Sequence, residues 1–141
     1  MTSVTEFNTA VLAALRERPH LDVHSEADPE YRTDPDGRLH IAAWAQLGPA
    51  TPSQWAGRAT GERPVDRADF QVTAVGGDPD RCIRAALHVR AALHNQFIGG
   101  ALVLEEELRR NPPREDPEST PTAYYLPLLY TATLNNARSH P

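Results

Sequence analysis

The stretch Asp69–Gln96, DFQVTAVGGDPDRCIRAALHVRAALHNQ, decides how the rest of the chain is arranged. Phe70, Val72 and Ala74 alternate with Asp69, Gln71 and Thr73, the period-two pattern of a strand buried on one face. Gly76-Gly77 breaks that strand. Asp78 stands at the N-cap of a helix, with Pro79 at the first helical position and Asp80 in the first turn, where the helix dipole favours an acid. Cys82, Ile83, Ala86, Leu87, Val89 and Leu93 then form an apolar stripe three and four residues apart, with Arg81, Arg84, His88 and Asn95 opposite. Strand and helix can cover each other's apolar surface, so the fold is centred on this unit. Ile98-Gly99-Gly100 reads as the close of the helix, with one of the glycines as its C-terminal cap.

On the N-terminal side, Ser3-Val4-Thr5-Glu6 reads as a capping box. It opens a helix from Val4 to about Arg18, with Val4, Phe7, Val11, Leu12 and Leu15 on its apolar face and Pro19 as its stop. A strand from His20 to Ser25 follows, with Leu21 and Val23 on one side and His20, Asp22 and His24 on the other. Two His and an Asp at that spacing could hold a divalent metal. The plainer reading is a polar outer sheet face. Ala27–Gly37 is turn-forming, with Asp-Pro twice and Asp-Gly at its end. Arg38–Leu47 is the next strand, with Leu39, Ile41 and Ala43 facing inward and His40, Ala42 and Trp44 on the opposite face. Trp44 either lies beneath another element of the chain or joins a subunit contact.

Gly48–Arg67 holds three prolines and three glycines around a lone Trp55. A weak strand is expected from Gln54 to Thr60. Loops of this length are functional or disordered. Trp55 with Arg58, Arg63 and Arg67 reads as a contact arm, or alternatively as a hairpin tip with Trp55 folded back on the sheet. Beyond the central helix, Ala101–Leu104 reads as a short strand. Glu105, Glu106 and Glu107 beside Arg109 and Arg110 read as a solvated charged face. Asn111–Thr122 reads as extended or disordered, completing a second long loop over 105–122. Ala123–Leu134 is the last strand, apolar on both faces, and Pro127 requires an edge or a bulge there.

With 141 residues the chain reads as one domain, 1–141. The expected architecture is α+β: a mainly antiparallel sheet of about four or five strands packed against an N-terminal helix and a second amphipathic helix. The net charge of -5 argues against a dedicated nucleic-acid surface. All 14 basic residues are Arg, which suits bidentate pairing at interfaces. The single Cys82 excludes an intramolecular disulfide and reads as packing. With no signal peptide and no apolar run of spanning length, a soluble protein made in a cytoplasm is expected, with no membrane partner. GxxxxGK[ST] and GxGxxG are both absent, and Asp78 and Asp80 would repel a phosphate at the helix start, so no nucleotide or other cofactor is expected.

The order helix, strand, strand, long loop, strand, GGDP turn, helix, closing strand, with DFQVTAVGGDPDRCIRAALHVRAALHN and YYLPLLYTATL, resembles the tail terminator (tail completion) proteins of long-tailed bacteriophages. The likeness runs over most of Thr5–Leu134. This chain departs from the pattern in its Pro/Gly-rich 48–67 stretch and in an acidic insertion before the last strand. The resemblance implies a non-enzymatic virion protein at the head–tail junction, made in the host cytoplasm. It implies a ring, typically a hexamer, that caps the tail tube protein and meets a neck or connector protein, with DNA passing through the lumen as cargo. Trp44, Trp55, Arg58, Arg63 and Arg67 are then the candidate interface residues. Two alternatives stay open: a head-to-tail connector, or a small metal-dependent enzyme using His20, Asp22 and His24.

Overall fold

A computed structural model describes residues 4–25, 32–52, 66–106 and 112–134. Helix α1 (Val4–Arg16) opens the chain, followed by strands β1 (Asp22–His24), β2 (Ala42–Pro52) and β3 (Asp66–Gly76). Helix α2 (Pro79–Leu93) leads into β4 (Gln96–Ile98), β5 (Ala101–Glu105), β6 (Arg114–Asp116) and β7 (Ala123–Leu134). The strands form one sheet in the order β1-β2-β3-β7-β5-β4, with β6 added to β7. Every pairing is antiparallel except β1 with β2, which is parallel. The class is therefore α+β as expected, and among the described residues the sheet has seven strands where about four or five are expected. The extra ones are the three-residue β4 and β6, too short to show a period in sequence.

The central unit forms as its residues dictate. Phe70, Val72 and Ala74 face the helices, and the Asp78 side chain accepts the Arg81 N–H at 2.8 Å, capping α2 behind Pro79. Gly76 is needed for close approach. A Cβ there would stand 2.4 Å from Cys82 N and 2.6 Å from Arg81 C, both backbone atoms. The helix buries Cys82, Ala85, Ala86, Val89 and Leu93. Ile83 and Leu87, expected in that stripe, lie on the outer side, 45% and 56% exposed. The buried arc is centred on Ala85 and Ala86, whose small side chains let α2 lie close against the sheet. Cys82 is packing, with its thiol aimed at the Ala74 carbonyl and burial pushing its pKa up to about 12.

Helix α1 covers the same face through Phe7, Val11 and Leu15. An aromatic series crosses the core: Phe7 meets Phe70 edge-on at 5.6 Å, and Phe70 stacks on Tyr130 at 5.5 Å. Such pairs add about 0.5–1.5 kcal/mol beyond their buried area.

Several boundaries differ from expectation. α2 ends at Leu93, and Asn95 takes a left-handed φ of 58°. Gly99 and Gly100 do not cap the helix. They are the two-residue turn of the β4–β5 hairpin, both at positive φ (59° and 81°), as a type I′ turn demands. Leu39 does not face the helices; it joins Ala42, Val75 and Ala123 on the other side of the sheet. Residues 48–52 and 66–67 belong to strands β2 and β3 rather than to a loop, with a register shift between Leu47 and Ala50 that accommodates Pro49. Part of 111–122 is ordered as β6. Leu129's carbonyl accepts from Glu106 N–H, so odd-numbered residues of β7 aim their backbone groups at β5 and β6. Pro127 falls in the interval between those two pairings, where its missing N–H leaves no ladder bond broken.

Candidate interaction surface

The helices cover one face of the sheet. On the other face the register aligns Trp44 with Thr73 and Thr73 with Pro127, and likewise Ala42 with Val75 and Val75 with Tyr125. β6 and the turn after it rise along the edge of β7, and Leu39 forms the facing wall. Together they enclose an open groove of about 690 Å³ with an aromatic and aliphatic floor of Trp44, Val75, Tyr125 and Pro127. Among the described residues its rim carries two acids, Asp116 and Glu118, and no Lys or Arg. Asp116 shapes this rim by accepting the Glu118 N–H at 3.0 Å, while the Glu118 side chain stays exposed. The same face continues to Leu129 and Leu104, 49% and 43% exposed.

A charge cluster holds the Leu39 wall in place. Arg81, whose side chain is 18% exposed, reaches Asp34 Oδ2 at 2.6 Å, Asp36 Oδ2 at 2.8 Å and the Leu39 carbonyl at 3.2 Å. Arg38 Nη1 bonds Asp78 Oδ2 at 2.8 Å. Both ring nitrogens of His40 face acceptors, Asp34 Oδ1 at 2.9 Å and the His20 carbonyl oxygen. His40 hydrogen bonding, with Arg81 and Arg32 nearby, holds the Asp34 carboxyl below its usual range against the opposing effect of burial. The Arg81 backbone N–H, then Arg38, does the same for Asp78. These contacts pin residues 32–40 to the start of α2, so the central strand–helix unit also fixes the groove wall.

Of the sequence-predicted interface residues, Trp44 lies half-buried in this groove, packed against the cluster of Leu39, Ala42, Val75 and Ala123. Arg67 sits in β3, paired with Thr51 and Thr133. Trp55, Arg58 and Arg63, like the weak strand over 54–60, lie outside the described residues. The run His20, Asp22, His24 is not one strand face: His20 precedes β1 in a left-handed turn (φ 71°), and Asp22 lies 3.3 Å from Arg32 Nε. Among the described residues no three His, Cys, Asp or Glu side chains come together as metal ligands.

Glu105 is a correction. Its side chain is 5% exposed, far from a solvated face, and takes Arg90 Nε at 3.1 Å and the Tyr130 hydroxyl at 3.0 Å. Burial and Glu105 raise the Tyr130 pKa far above that of a free phenol. Sequence reasoning also missed Tyr125, Asp116 and Glu118. The apolar groups on both faces of Ala123–Leu134 were the available signal for Tyr125; nothing in the acidic segment marks which acids turn toward the sheet. Compared with known proteins, the sequence matches no family model and no curated protein. Among the described residues no helix is long and apolar enough to cross a membrane.

Proposed function

We propose that the chain is a structural ring subunit, the tail terminator of a long-tailed bacteriophage, that caps the tail tube and joins it to the neck. The single observation that supports this most is the sheet face left open by the helices. It carries Trp44, Tyr125, Pro127, Leu129 and Leu104, and a surface of that aromatic and aliphatic content belongs to assembly more than to solvent. The resemblance in DFQVTAVGGDPDRCIRAALHVRAALHN and YYLPLLYTATL supplies the kind of assembly. On this reading the action is geometric. One side of the ring matches the last ring of the tube and occupies the site where another would add, while the other side meets the neck. The net charge of -5 lets DNA pass the lumen without adhering.

The test is the mass of the purified protein by light scattering, with negative-stain imaging. A closed ring with a central hole is the expected result, and added ring should arrest growth of tubes assembled from tail tube protein. A monomer at every concentration, or tubes that lengthen unchecked, overturns the reading.

A further inference from the structure

We infer that the groove floored by Trp44 and Tyr125 takes an extended, proline-rich segment of a partner protein that carries an arginine. The inference rests on the reading of the open sheet face as an assembly surface, and it names what one part of that face receives. The backbone of the floor gives the first reason. Trp44, Thr73 and Pro127 stand on β2, β3 and β7, adjacent strands whose ladders pair with one another. A ligand lying across them meets side chains rather than an open strand edge, so it cannot join the sheet as a further strand. A polyproline II segment has no internal hydrogen bonds to give up and little freedom to lose, and it docks on grooves lined by aromatic rings. Trp44 and Tyr125 supply such rings, each with one N–H or O–H able to meet a carbonyl of the ligand.

Spacing and charge give the second reason. Trp44 and Pro127 flank Thr73 from either side, so two strand spacings, about 9.5 Å, separate them. One turn of polyproline II advances about 9.3 Å over three residues. A segment crossing the strands thus sets one residue on Trp44 and the third one after it beside Pro127 and Tyr125, which share a face of β7. β6 lies one strand farther in the same direction, on the side of β7 away from β3. Asp116 stands there, paired with Ala123, and Glu118 follows in an exposed turn. Arg114 of β6 pairs with Tyr125 but does not line the groove. A cation a few residues past the second proline therefore arrives at two carboxylates. A guanidinium suits that place because it pairs with carboxylates and also stacks on aromatic rings. An acidic segment would be repelled.

The experiment uses the full chain with Trp55→Phe, so that Trp44 is the one tryptophan left to report by fluorescence. The probe is an end-capped synthetic peptide of prolines and alanines, with two prolines spaced one polyproline turn apart and an arginine shortly after the second. Saturable binding with a Kd below about 1 mM is expected. Exchanging the arginine for glutamate, or the two prolines for alanine, should each weaken binding at least about ten-fold. Glu118→Arg, on an exposed turn, should reverse the charge preference so that the glutamate peptide binds better than the arginine one, with circular dichroism unchanged. Absence of saturable binding, equal binding of the two charge forms, or no effect of Glu118→Arg would overturn the inference. Binding that appears only when residues 53–65 are replaced by a glycine–serine linker would give the groove to the chain's own segment and overturn the assignment to a partner. Light-scattering mass keeps the two readings apart: rings that bind no peptide overturn the groove assignment alone, and a monomer that binds it overturns the ring alone.

Discussion

Glu105 offers the sharpest test of the packing. Its carboxylate takes Arg90 Nε on both oxygens, at 3.1 and 3.2 Å, and the Tyr130 hydroxyl at 3.0 Å, with Tyr130 0% exposed and Arg90 one-third exposed. Glu105→Leu strands the two donors unequally. Arg90 can turn to water, so its loss is small, about 1 kcal/mol. The Tyr130 hydroxyl cannot turn out, and an unpaired buried donor costs about 1–3 kcal/mol, giving a total of about 2–4 kcal/mol. Tyr130→Phe removes one bond while Arg90 keeps the carboxylate paired, for about 1–2 kcal/mol. The double variant, with both substitutions in one chain, has neither a stranded hydroxyl nor a buried carboxylate. It should lose only about 1–2 kcal/mol. The cycle should therefore show a favourable coupling of at least about 1 kcal/mol. Urea unfolding followed by circular dichroism, at one fixed protein concentration, measures all four chains. Losses that simply add, to within about 0.5 kcal/mol, would refute the account of Glu105 as the acceptor that satisfies Tyr130.

Three further outcomes follow from particular contacts. Gly76→Ala pushes a Cβ to 2.4 Å from Cys82 N. With backbone on both sides the loss should be about 2–3 kcal/mol, a Tm drop of roughly 6–12 °C by calorimetry; a change under about 1 °C would contradict the close approach. Asp78→Ala should cost about 1 kcal/mol through the lost N-cap, whereas Asp78→Asn, which keeps the acceptor, should stay near wild type in the same thermal scan. Burial, with Arg18, His20 and Arg84 nearby, holds the His88 imidazole below its ordinary 6.5, and Arg18 Nε donates to its Nδ1 at 3.3 Å. The unfolded chain thus takes up this proton first as pH falls. Stability from neutral His88 is full above 6.5 and declines below it, and His88→Gln should flatten the loss in denaturation midpoint between about pH 7 and pH 5.

What the sequence revealed, and what it hid, divides along the range of the interactions. Asp78-Pro79 announced the start of α2 because a cap is made within four residues, and Phe70, Val72 and Ala74 announced their face because a strand alternates whatever it pairs with. The fate of Glu105 was hidden. Three successive carboxylates look alike in sequence, and it is the pairing of Glu105 with Tyr130 that turns Glu105 inward. Ile83 and Leu87 sit at helical spacing with the buried residues, yet how α2 rolls on the sheet decides which apolar residues it covers, and the closely approaching Ala85 and Ala86 won that choice. Gly99-Gly100 could serve a helix cap or a hairpin, since both need positive φ; pairing of Ile98 with Ala101 selected the hairpin. For the candidate surface, Trp44 was legible as a residue on the face opposite Ile41 and Ala43. The groove around it was not, because its rim comes from β6, a three-residue strand that exists only by leaning on β7.

The long strands have a mechanical meaning on the ring reading. β3 and β7 pair without a break over eleven consecutive residues, from Asp66 with Leu134 to Gly76 with Tyr124. This ladder spans the interval between the groove end of the sheet and the end from which residues 53–65 depart. On the ring reading each copy must turn the next by the same angle, so the subunit has to be stiff between its neighbours. A paired central strand buried against two helices meets that need; a loop would not. The register shift between Leu47 and Ala50 sits on this span, on the neighbouring strand, and a bulge of that kind adds local twist.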